Sequence, residues 1–180
     1  MVFCQHFVQQ LLRFSRSSPW QKQPESIAAT LQAVASFLSP QLMTKRVLLT
    51  LDVDGVDGTR VLADRNQLEA LFLILLSNAA YAVGPGGAIR MSCVSSGNCV
   101  EVRVADNGCG IDPDALPHIF EPFFTTKAPG VGTGLGLAIA SNILQAHGGS
   151  MRFDSVPQQG TTAIVDLPVY NATSAAGASA

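Results

Sequence analysis

The sequence is poor in charge. Lys, Arg, Asp and Glu make up 13% of its 180 residues, about half the roughly 25% of an ordinary soluble domain. Net charge is −2 and the sequence pI is near 5.8, so the basic footprint of a nucleic-acid binder is missing and no such partner is expected. So few charges imply apolar surface reserved for a partner or for chain outside this sequence. Long apolar runs are also lacking. The longest, Ala70–Leu76 (ALFLILL), is far too short to span a bilayer. The opening residues MVFCQHFVQQLLRF have neither a charged start nor a small-residue cleavage site, so no signal peptide is read; a cytoplasmic location is expected for this domain, with a membrane anchor in the parent protein left open. Four cysteines (Cys4, Cys93, Cys99 and Cys109) show no CxxC or Cys/His metal spacing. Cys93 and Cys99 flank a hairpin turn, where a disulfide is open to them, but reduced buried thiols are the reading adopted.

What is present suffices for a core: 47% of the residues are hydrophobic, enough for one domain with an appendage. Phe3, Phe7, Leu11 and Phe14 recur at helical spacing up to RSSPW, and Pro19 and Pro24 mark a break. Ile27, Leu31, Val34 and Leu38 predict a second helix, stopped by Pro40. Arg46–Asp54 reads as a strand, GVDGT as a turn and TRVLAD as a short strand ending at Asp64. Asp64 with Gln67 forms a capping box that opens a helix over Arg65–Val83, closed by GPGG. AIRMSCV and CVEVRVAD predict a hairpin through Ser95–Asn98. After an irregular stretch, a helix is expected over about Gly134–His147, ended by Gly148 and Gly149. SMRFDSV and TTAIVDLPV read as the last strands, and residues 171–180 as a disordered tail. The fold class is α+β: one mostly antiparallel sheet covered on one face by helices, without internal repeats.

Three places carry candidate chemistry. Asn78 falls in line with Leu71, Ile74, Leu75 and Ala82 on the apolar side of its helix. An amide there costs about 1–3 kcal/mol if unpaired. It is either a core Asn satisfied by backbone or an oxygen ligand for a hard cation such as Mg²⁺, which takes one or two protein oxygens and fills its shell with phosphates and water. DNGCGI (Asp106–Ile111) carries the Asn-Gly of a hairpin turn, yet no alternating strand follows it. An Asp at a strand end beside Gly108 and Gly110 suits a carboxylate accepting from an amino group, with a flat ring against the glycines. The third place is FEPFFTTKAPGVGTGLGL. Phe120, Phe123 and Phe124 read as core anchors of a long loop, and Lys127 stands beside a ladder of alternating glycines that leads into a helix. Such a loop allows a close backbone approach, and the helix start favours an anion. It matches neither the GxxxxGK[ST] nor the GxGxxG phosphate loop.

The order of these pieces resembles the catalytic ATP-binding domain of sensor histidine kinases. LLSNAAYAV looks like that family's N box, DNGCGI its first glycine box, IFEPFFTTK its F box and GVGTGLGLAIA its second glycine box. HGG and GTTAIVDLP resemble its closing segment, so the likeness covers roughly residues 25–168. It implies the Bergerat two-layer α/β sandwich and a protein-histidine kinase that uses ATP and Mg²⁺. It also implies Asp106 on the adenine amino group, with Ala82, Gly108, Gly110 and Ile111 around the ring and Thr161 supporting that end. Asn78 would hold Mg²⁺, and Asn78 and Lys127 would serve the phosphates. Gly132, Thr133, Gly134, Leu135, Gly136 and Leu137 would form the hinge end of an ATP lid. The partners implied are a response-regulator receiver domain and the kinase's own dimerisation and histidine-phosphotransfer domain, in a homodimer.

Two departures qualify the likeness. The family's acceptor histidine is followed by an acidic residue and, a few positions on, a proline; His6, His118 and His147 do not match, so the acceptor is expected outside this chain. FVQQLLRFSR resembles the tail of the second dimerisation helix, which assigns residues 1–18 to that helix and 19–170 to the catalytic domain. Ile74 lies one turn before Asn78, where the gyrase-type relatives carry a water-activating carboxylate and kinases usually keep a polar residue. Isoleucine is no base, which argues against an ATP hydrolase. FEPFFTTK argues against an anti-sigma serine kinase. The remaining alternative is a degenerate ATP-binding docking module of the same fold.

Overall fold

The helix at the centre of the molecule forms where apolar side chains are densest. Our computed structural model describes residues 21–171 except positions 57 and 129, so the expected helix over residues 3–14 and the tail beyond residue 171 lie outside the described residues. Its strands are β1 (Gln23–Ser26), β2 (Leu48–Asp52), β3 (Arg60–Ala63), β4 (Ala88–Ser96), β5 (Cys99–Asp106), β6 (Ser150–Val156) and β7 (Gly160–Pro168). Its helices are α1 (Ile27–Thr44), α2 (Arg65–Ala82) and α3 (Gly136–Ala146). In α2, Leu68 and every residue from Ala70 to Leu76 are buried. A helix apolar nearly all round belongs inside, between the sheet and its fellow helices.

Asp64 caps α2, its Oδ1 accepting from the Gln67 N–H at 3.2 Å. The Asp64 N–H itself donates to His147 Nε2 at 3.1 Å, just beyond the end of α3. His147 is 5% exposed and its Nδ1 lies 2.7 Å from the Ile143 carbonyl. With Nδ1–H donating and Nε2 accepting, the ring is neutral, and burial holds its pKa below the ordinary 6.5. One imidazole therefore ties the start of α2 to the end of α3.

α1 does not stop at Pro40 as its sequence predicts; it continues to Thr44. Pro40 sits beside exposed Ser36 and Phe37, so the carbonyl deprived of its N–H partner lies on the solvent side, where water can satisfy it. The real terminator is a Schellman turn. Arg46 takes φ +58°, its N–H donates to the Met43 carbonyl at 3.0 Å, and the Val47 N–H donates to the Leu42 carbonyl at 2.9 Å. For that reason β2 starts at Leu48 and not at Arg46.

Five strands form the main sheet in the order β2-β4-β5-β7-β6, parallel only between β2 and β4. The expected mostly antiparallel sheet is thus present, with the helices packed on one face. β1 was not foreseen: it pairs antiparallel with β3 in a separate two-stranded ribbon, with Pro24 opposite Leu62. The far face of the main sheet carries charges. Arg103 and Arg152 flank Ile164 in register, and Glu101 bridges both guanidinium groups at 2.6 and 2.7 Å. These two arginines hold the Glu101 carboxyl below the usual range, and their stems leave Ile164 only 3% exposed on a face that meets water. In the hairpin, Cys93 stands opposite Val102 and Cys99 opposite Ser96, so the two thiols do not face each other and both are free.

Candidate functional site

A cavity of about 510 Å³ opens between α2, the sheet and the loop before α3, a size that suits a small organic ligand. Its sides are built by residues far apart in the chain: Asn78 and Ala82 from α2, Asp106 from the end of β5, Thr161 from β7 and Lys127 from the loop.

At one end, strand pairing sets Asp106 opposite Thr161. The Gly108 N–H donates to Asp106 Oδ1 at 2.8 Å. Burial raises the Asp106 pKa, opposed by hydrogen bonds from the Gly108 and Thr161 backbones. Thr161 Oγ1 lies 2.9 Å from Ser155 Oγ, which accepts the Ile111 N–H at 2.8 Å. Carboxylate, threonine and serine thus form one braced polar patch beside Ile111, and Val104, Ala163 and Phe153 make the adjoining wall apolar.

At the other end, Lys127 Nζ donates to Asn78 Oδ1 at 2.8 Å and stands 4.5 Å over the Tyr81 ring. Asn78 is therefore paired with a cation here, and the alternative of an amide satisfied by core backbone does not hold. The loop closes on itself where the Phe123 N–H donates to the Gly134 carbonyl at 2.9 Å. Gly134 has φ +67°, and a Cβ there would come within 2.3 Å of the Phe123 carbonyl carbon, so glycine is required. Its partner Phe123 also takes a positive φ, +70°, and is 76% exposed. Phe123 is thus not a core anchor. Phe120 is half-buried and meets Phe153 edge-on at 5.7 Å, and Phe124 lines the cavity.

Of the residues singled out in the sequence, Asn78, Ala82, Asp106, Gly110, Ile111, Lys127, Gly132, Thr133, Gly134, Gly136, Leu137 and Thr161 line this cavity. Gly108 and Leu135 do not. Gly108 packs on the end of α2, where a Cβ would lie 2.5 Å from the Ala82 carbonyl; its place is structural, bringing Asp106 onto the helix. Leu135 caps α3, which begins at Gly136 instead of the expected Gly134 because the positive φ of Gly134 is not helical. A Cβ on Gly136 would lie 3.3 Å from Ile74 Cγ2, so α3 starts directly against Ile74. Sequence reasoning missed Tyr81 and Ser155. Tyr81, three residues after Asn78 on the same helix, was within reach of a helical-face argument. Ser155 required the β6–β7 register.

No group of three or more His, Cys, Asp or Glu side chains able to hold a metal occurs among the described residues. The donor set still fits one metal mode. A single amide oxygen, Asn78 Oδ1, is aimed at a cation in the cavity, and Mg²⁺ takes few protein ligands when phosphates complete its shell.

A carboxylate anchoring one end of a cavity, an asparagine on the wall helix and a glycine loop leading into the next helix define a nucleotide-site architecture. Residues 63–171 match the family model described as histidine kinase-, DNA gyrase B- and HSP90-like ATPase; the chain belongs to that family. Within it the chain groups with sensor histidine kinases. It is 37% identical over 163 residues to the signal transduction histidine-protein kinase AtoS of Escherichia coli K12, covering 90% of this chain and 26% of that protein. The catalytic domain of histidine kinase ThkA, solved nucleotide-free, superposes with a TM-score of 0.74 at 28% identity, over 82% of this chain and 95% of that one. Full-length ShkA in complex with AMPPNP gives a TM-score of 0.78 at 29% identity, over 93% of this chain and 36% of that one. The chain thus spans about a quarter of the length of AtoS.

Proposed function

We propose that this chain is the ATP-binding catalytic domain, residues 19–170, of a two-component sensor histidine kinase. ATP binds in the cavity, its γ-phosphoryl group passes to a histidine outside this chain, and from there it moves to an aspartate on the receiver domain of a response regulator. The reading is supported by one cavity lined both by Asp106 and by the Asn78–Lys127 pair. An ionised carboxylate accepts from the adenine amino group, while an amide oxygen and an ammonium serve the phosphates. The AMPPNP in the ShkA structure supports the same reading.

In the step itself the bond between the γ-phosphorus and the ADP oxygen breaks and a bond to an imidazole nitrogen forms. That nitrogen attacks with its own lone pair, so positioning and charge stabilisation carry the rate and no protein base is required. Ile74, 2% exposed and lining the cavity, offers nothing that activates water, which favours transfer over hydrolysis. Lys127 leaves Asn78 for the phosphates when nucleotide enters, freeing Oδ1 for Mg²⁺. The metal, when bound, neutralises phosphate charge. The parent protein is a homodimer, and this domain works on the cytoplasmic side, where a response regulator is met.

Displacement of a fluorescent trinitrophenyl-ATP by ATP tests the metal role. The wild-type chain is expected to bind ATP more tightly with Mg²⁺ than without, and Asn78→Ala to bind equally with and without it. Retained Mg²⁺ dependence in Asn78→Ala would overturn the assignment.

A further inference from the structure

A second lysine lines the same cavity from an unexpected element. Lys45 is the C-cap residue of α1, and its Nζ donates to the Ala80 carbonyl on the last turn of α2 at 3.4 Å. Ala80 directly precedes Tyr81, the ring over which Lys127 Nζ stands. Two ammonium groups from distant parts of the chain therefore converge on one turn of α2. At 3.4 Å the Lys45 contact is at the long limit of a hydrogen bond, and a phosphate oxygen is a far stronger acceptor.

The same corner holds an unsatisfied group. Ser77 Oγ is buried, lines the cavity and has no hydrogen-bond partner. Ser77 lies one helical turn before Tyr81 and three residues before Ala80, on the stretch of α2 that both lysines reach. A buried hydroxyl without a partner costs about as much as a lost hydrogen bond, and such groups usually mark a place for water or ligand.

We infer that Lys45 and Ser77 form a further subsite for the terminal phosphate of a nucleoside triphosphate. The inference rests on the ATP-binding reading above and deepens it. Asn78 and Lys127 attend the phosphates next to the lid, and Lys45 adds a second cation on the α1 side of the helix. The predicted consequence is selectivity for triphosphate over diphosphate. It also couples the occupied site to the end of α1, through the Schellman turn that Lys45 opens.

Calorimetric titration of the 180-residue chain with ATP, ADP and AMP in Mg²⁺ tests this. Lys45→Ala is expected to weaken ATP about five- to tenfold while changing ADP less than twofold and AMP not at all; Lys45→Arg is expected to restore most of the ATP affinity. Ser77→Ala is expected to weaken ATP two- to threefold without lowering the melting temperature. Unchanged ATP affinity in Lys45→Ala, or an equal loss for all three nucleotides, would overturn the subsite and leave the ATP site standing. Failure of the wild-type chain to bind any of the three would overturn both.

Discussion

Asp106→Asn separates recognition from folding at the base end of the cavity. The substitution keeps an oxygen for the Gly108 N–H, which now bonds Oδ1 at 2.8 Å, and it replaces the second carboxylate oxygen by an amino group. A hydrogen bond to a charged acceptor contributes about 1.5–3 kcal/mol, so replacing the acceptor by a donor should weaken ATP about 10- to 150-fold. A purine bearing a 6-oxo group presents an acceptor to that new donor, so the ratio of ATP to GTP affinity should fall as well. Stability should hold or rise slightly, because the substitution removes a charge that burial opposes. The folded-state pKa lies above the unfolded one, so the ionised carboxylate costs stability at neutral pH. That cost is relieved as pH falls through the raised value. The same titration removes the acceptor, so wild-type ATP affinity should begin to weaken at a pH above that of an ordinary aspartate, and the variant should lack this inflection. Titration calorimetry with ATP and GTP between neutral and mildly acidic pH reads both effects. Unchanged ATP affinity in a folded Asp106→Asn protein would refute the assignment of the base end.

Other consequences are simpler to measure. Cys109 is exposed and lines the cavity, whereas Cys93 is buried with its thiol pushed up to about 11 by burial. Among the described cysteines, Cys109 should therefore react first with a maleimide, Cys93 only on unfolding, and ATP should slow the reaction of Cys109; mass spectrometry of labelled peptides shows the order. His147→Ala removes the ring between Asp64 and Ile143 and should cost about 1–3 kcal/mol, because the half-buried Asp64 N–H loses its acceptor while the Ile143 carbonyl keeps the His147 backbone N–H, read by urea unfolding. Because the folded pKa of His147 is depressed, its contribution is complete above the ordinary value of 6.5 and is lost as pH falls toward the folded value. The urea midpoint should decline with acidification in the wild type, and less so in His147→Ala.

Local signals in the sequence located α2, the hairpin, the last two strands and most of the site. Asp64 caps α2 as its spacing with Gln67 implies, because capping depends on neighbours along the chain. The extension of α1 beyond Pro40 was hidden because proline costs a helix one backbone hydrogen bond, and only the folded chain shows that the freed carbonyl lies on the water side. β1 was hidden because QPES acquires its strand form only by pairing with β3. The exposure of Phe123 follows from its positive φ at the loop closure, which composition does not encode. Ser155, Lys45 and Ser77 join the cavity through register and helix packing, and neither exists until the chain has folded.

Titration of the wild-type chain with ATP and ADP, each with and without Mg²⁺, tests the central claim most directly. The account predicts micromolar binding that tightens with Mg²⁺, consistent with a cavity read by Asp106 and closed by Asn78 and Lys127. Absence of binding under all four conditions would contradict it and leave a domain of this fold that serves as a docking module.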